Sequence, residues 1–175
     1  MAGQGSLNPA QDYDHLLDVV SGWEGMHDLQ YKAGLAPEEA WFRGSLISLN
    51  AAGLYKAGCG DHEMPIWAIN ATADLDVSSD GGNTAGGVVG GYPATGGYEL
   101  KTTEFDAAQS YLPNDFLTSG LGLLLGKVTK SPADWTTRLL CGVVSAGVET
   151  ETYGQSVLRF WPVFIPALNA WGSSV

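Results

Sequence analysis

Cysteine is nearly absent: Cys59 and Cys141 are the only two in 175 residues. Two thiols cannot build a disulfide framework, and one bridge between them is allowed but not required. Charge is scarce as well, with 15% of residues charged. The deficit falls on one sign: 8 basic residues face 19 acidic ones, a net charge of −11. A nucleic-acid binder working by phosphate neutralisation needs the opposite balance, and so does a binder of anionic membrane surfaces. A basic protein surface or a bound cation remains open. Long hydrophobic runs are missing too; the longest, Leu121–Leu125 and Phe160–Ile165, are far too short to span a bilayer. Met1 is followed by small and polar residues, not by a charged and then apolar leader, so the expectation is a soluble chain made without an export signal.

Catalytic signatures are also wanting. The chain holds neither a G-x-S-x-G elbow nor a G-x-x-x-x-G-K-[ST] phosphate loop. Gly120-x-Gly122 lacks the third glycine of a dinucleotide fingerprint. Carboxylate pairs such as Glu38/Glu39 and Glu149/Glu151 are what any acidic chain contains, so no enzyme is expected. Cys59-Gly-Asp-His62-Glu63 crowds thiolate, carboxylate and imidazole into one turn. A zinc site usually takes a second paired knuckle, and none follows. Asp74-x-Asp76-x-Ser78-x-Asp80 starts like a calcium loop, but Ser79 and Ala85 stand where the template wants Gly and Glu. An irregular calcium site on these carboxylates is the alternative to a plain polar turn. His15 belongs to the polar side of the first helical segment described next. No metal, cofactor or catalytic residue is assigned.

What the chain does have is glycine, 24 residues of it, and 45% hydrophobic residues, a turn-rich composition able to build a core. Asn8-Pro9-Ala10-Gln11 caps a helix, and Tyr13, Leu16, Leu17 and Val20 follow at i, i+3, i+4 and i+7; together they predict a helix over 9–20. From Trp41 on, short β-favouring pieces alternate with turns: 45–49 and 54–56 around Asn50-Ala-Ala-Gly53, then 65–69, 98–105, 116–118, 126–130, 139–145 and 157–165. The fold expected is mainly β, a small barrel or sandwich. Residues 1–40 form an N-terminal arm with the helix, and 41–175 form the β domain. Four Gly-Gly doublets between Gly81 and Gly97 predict a long loop, an insertion over 78–97 that orders only against a partner.

The aromatic content, 6 Trp, 7 Tyr and 5 Phe, points to surface chemistry. Along 157–166, Val157, Trp161, Val163 and Ile165 alternate with Leu158, Phe160 and Phe164, so both faces are apolar. Such a strand is either central to a core or turned to another subunit, and its two prolines favour an edge or rim. The candidate interface residues are therefore Tyr13, Leu16, Leu17 and Val20 on the helix, with Phe160, Trp161 and Phe164 on this strand.

Several segments together resemble a known family. Arg43–Gly58 with Met64-Pro-Ile-Trp-Ala-Ile69, then 97–106, 111–115, Cys141-Gly-Val-Val-Ser145 and Phe160-Trp-Pro-Val-Phe164, look like the β-barrel core of tailed-bacteriophage head decoration, or cement, proteins. The resemblance spans most of residues 41–166 and rests on order and composition more than on one motif. It implies a non-catalytic virion protein on the capsid surface, assembled in the host cytoplasm. Its partners would be the major capsid protein and itself, as a homo-oligomer with a trimer favoured. Stabilisation would follow from binding only the intact lattice, with avidity from many identical contacts. A tail or fibre component is one competing reading, although fibrous repeats are missing. A calcium- or carbohydrate-binding β-sandwich using Asp74, Asp76 and Asp80 is the other.

Overall fold

A computed structural model describes residues 16–22, 29–32, 41–53, 55–69, 88–132 and 138–167. The described residues form eleven strands: β1 (Leu17–Gly22), β2 (Leu29–Lys32), β3 (Leu46–Leu49), β4 (Tyr55–Ala57), β5 (Ile66–Ala68), β6 (Val88–Pro93), β7 (Tyr98–Thr102), β8 (Phe116–Ser119), β9 (Val128–Lys130), β10 (Leu140–Thr150) and β11 (Ser156–Ile165). They make a six-stranded sheet in the order β1-β7-β11-β10-β8-β9 and a five-stranded sheet in the order β2-β6-β5-β3-β4. All paired strands run antiparallel.

The two sheets share one core. Leu46 and Trp67 from the smaller sheet pack with Leu100, Leu117, Val144, Leu158 and Phe160 from the larger. The Trp67 and Phe160 rings meet with centroids 5.1 Å apart, tilted by 46°, a geometry favoured by the ring quadrupoles. A second cluster, Trp41, Ile47, Tyr55, Ala57, Ile66 and Ala68, forms beside it. Leu46 and Ile47 are consecutive, so their side chains leave opposite faces of β3. β5 is likewise buried on both faces, Trp67 in the first cluster and Ile66 and Ala68 in the second, which accounts for the unbroken apolar run Pro65-Ile-Trp-Ala-Ile69. The architecture is a sandwich of two sheets and not a closed barrel.

Turn chemistry sets several of these elements. Gly53 adopts φ +75° and donates its N–H to the Asn50 carbonyl at 2.9 Å, closing the β3–β4 hairpin. Asn114 adopts φ +73° in the turn that Asp115 N–H closes on the Leu112 carbonyl at 3.0 Å. Asn tolerates that left-handed conformation, and β8 starts two residues later.

Three expectations need correction. The helix over 9–20 fails where it is described: Leu17–Val20 lie in β1, paired with β7. Tertiary pairing with β7 overrides a short segment's propensity, which is a weak prior. Residues 9–15, Tyr13 and His15 among them, lie outside the described residues. The arm over 1–40 contributes strands to both sheets, because β1 pairs β7 and β2 pairs β6. The loop over 78–97 holds a strand: Val88–Pro93 form β6, flanked by β2 and β5. A Cβ on Gly91 would lie 2.4 Å from Ile66 Cγ2 and 3.1 Å from the Trp67 carbonyl oxygen. The glycine at 91 therefore serves close strand approach rather than loop freedom. Residues 78–87, with Asp80, and Asp74 and Asp76 before them lie outside the described residues.

Candidate interaction surface

The candidate residues divide between inside and outside. Leu17 is buried at the start of β1, Leu16 is half-buried just before it, and Val20 is exposed. Phe160 is fully buried in the shared core, and Phe164 packs partly against it. Phe160 as an interface residue is therefore corrected: its ring is committed to Trp67. Trp161 points the other way and is 45% exposed.

The edge position expected for the aromatic strand is also corrected, since β11 lies between β7 and β10. Two features make Pro162 tolerable there. The β7 ladder ends at Phe160, and the β10 ladder shifts register between Gly142, opposite Pro162, and Leu140, opposite Ile165. Proline is accepted where a strand has no regular ladder to serve.

Trp161 has neighbours in register. Val143 on β10 lies opposite Trp161 on one side and opposite Phe116 of β8 on the other. Directly paired side chains share a face, so Phe116, Val143 and Trp161 make one row across three strands. It lies on the side away from the core, because Leu117, Val144 and Phe160 beside them are buried. Phe116 is 46% exposed and Val143 half-buried. Val163 and the exposed Ile165 continue the same face along β11. Phe116 was missed because a single aromatic at a strand start carries no periodicity; only the register with β10 brings it beside Trp161.

A polar network occupies the same outer face next to this row. Glu99 of β7 accepts hydrogen bonds from Ser21 of β1 at 3.1 Å, Arg159 Nη2 of β11 at 2.9 Å and Ser145 of β10. Ser145 reaches it from an irregularity in β10, where Val144 faces Phe160 and Gly147 faces Arg159. Gly147 makes that kink at φ +85°. Arg159 also binds Glu149 at 3.1 Å, while Lys101 binds Glu151 at 2.9 Å and Asp18 at 3.5 Å. Burial alone would raise the Glu99 carboxyl, but the hydrogen bonds from Arg159 and Ser145 outweigh it and hold it below the usual range. The network links four strands of one sheet, β1, β7, β10 and β11, through side chains.

A second apolar feature is the 3-10 turn Gly122–Leu124 after β8. Leu121, Leu123 and Leu125 are exposed there, and Leu125 Cδ1 would clash with a Cβ on Gly58. The Cys59–Glu63 turn works as structure. Glu63 accepts from Ser48 Oγ at 2.6 Å and Gly60 N–H at 2.7 Å and pairs with Lys56 at 3.0 Å, while Cys59 Sγ donates to the Glu63 carbonyl at 2.9 Å. Cys59 and Cys141 are free and buried, and burial pushes the Cys59 thiol up to about 12. Among the described residues no three His, Cys, Asp or Glu side chains gather closely enough to hold a metal ion.

No family model, no curated protein and no solved structure matches this chain.

Proposed function

We propose that this chain is a virion structural protein that binds the outside of an assembled bacteriophage head and stabilises it. The reading starts from the resemblance of residues 41–166 to head decoration proteins. The observation that carries it is the row Phe116, Val143 and Trp161, left on the outer face of a sheet whose core is already complete without it. Aromatics set among energetically neutral polar neighbours are how protein interfaces concentrate their binding. The acidic balance, net −11, suits a protein that must avoid the packaged nucleic acid. No chemical step is required: a protein that binds only the intact lattice stabilises it by mass action.

The test adds purified protein to heads lacking it and measures co-sedimentation and the temperature at which the heads release DNA. Saturable binding with a raised release temperature is the expected result. Heads that neither bind the protein nor gain stability overturn the reading.

A further inference from the structure

We infer that the outer face of the six-stranded sheet is the docking face, and that it fits a protein surface bearing an apolar patch bordered by Lys and Arg. The inference rests on the shell-binding reading and names the surface and the partner chemistry within it.

Phe116, Val143 and Trp161 span three adjacent strands, and at a strand spacing of about 4.8 Å the row is roughly 10 Å across. Ile165, also exposed, extends it along β11. The multistrand floor matters energetically, because side chains carried on hydrogen-bonded strands lose less conformational freedom on docking than side chains on a loop.

The charge beside the patch decides what kind of surface fits. Four carboxylates (Asp18, Glu99, Glu149 and Glu151) stand against two cations, Lys101 and Arg159. Glu99 is the most covered of the six at 8% side-chain exposure and Glu151, at 26%, is level with Lys101 and Arg159 at 19% and 25%, whereas Asp18 at 60% and Glu149 at 43% stand out into solvent. The border therefore shows solvent two surplus negative charges at its exposed tips. A partner with basic residues next to an apolar patch gains complementary contacts at both places. A second copy of this chain is the poorer occupant, since it brings the same acidic border and a further net charge of −11.

Three forms are tested on heads lacking the protein, at low and at near-physiological salt: wild type, the double variant Phe116→Ser/Trp161→Ser, and the double variant Asp18→Asn/Glu149→Gln. All substituted side chains are exposed, and circular dichroism verifies each fold. The aromatic variant should lose at least about tenfold in affinity at both salt concentrations. The neutralised variant should associate more slowly at low salt and show a weaker salt dependence than wild type. Wild-type binding with undiminished binding by a folded aromatic variant overturns the docking face alone. Unchanged salt dependence in the neutralised variant overturns the basic-bordered partner. Wild type that fails to bind at all overturns the shell-binding reading itself. Amide exchange adds a readout free of mutation: slowed exchange on the heads should concentrate in β8, β10 and β11, and slowing confined to the smaller sheet contradicts the assignment.

Discussion

Phe160 and Trp161 are neighbours in sequence with opposite duties. Phe160 is fully buried against Trp67, so Phe160→Ala should cost about 3–5 kcal/mol, a large share of the ~5–15 kcal/mol typical of a domain. Trp161 is nearly half exposed, so Trp161→Ala should lower stability little, by about 1 kcal/mol or less. Denaturation curves for the two variants check this, and equal losses would contradict the inward–outward assignment. Glu99 carries a second residue-scale prediction. Its folded carboxyl sits below the usual range, so its contribution is present above the unfolded value of about 4.3. That contribution is lost as pH falls through the lower folded value. The stability gap between wild type and Glu99→Gln should therefore be wide at neutral pH and close in acid. A gap independent of pH would mean the ion pair with Arg159 does not stabilise the fold. The thiols make a third: Cys59, raised to about 12, and Cys141, raised well above its ordinary value by burial, should resist alkylation in the folded protein and react on unfolding. Rapid labelling of native protein would contradict their burial.

At the scale of elements, most strands from 45 onward were legible because alternation and turn residues coincide there. The hairpin at Asn50–Gly53, the turn at Pro113–Asp115 and the strand over 157–165 all appear where sequence pattern puts them. Three strands were not legible: β2, Leu29–Lys32, lies in the stretch read only as an arm, and the other two were hidden for a physical reason each. β1 reads locally as half of a capped helix, and only its ladder to β7 makes it a strand. β6 carries the Gly90-Gly91 doublet that normally marks a loop, and what demands glycine is the close approach of Ile66 and Trp67. Gly91→Ala should therefore destabilise by about 1–3 kcal/mol. A neutral substitution would show that β5 can withdraw. Removing residues 1–22 would delete β1 and strip β7 of its outer neighbour. It should lower stability and not merely trim an appendage, as urea unfolding of the truncated chain would reveal.

For the whole molecule, the division of β11 between core and outer face was half legible. Alternation identified Trp161 but did not tell it from Phe160, since both faces of the strand are apolar. The sandwich resolves this by spending one face on the core and leaving the other beside the Glu99 network. Phe116 and the acidic border are products of register, which no local pattern encodes. Among the described residues the larger sheet sets an apolar row, Phe116, Val143 and Trp161, beside an acidic border on one face. Electron cryo-microscopy of heads incubated with the purified protein tests this account most directly. It predicts two-sheet density on the outer surface, with Phe116 and Trp161 of the larger sheet against the shell. Bare heads at saturating protein, or density with that face turned to solvent, would contradict it.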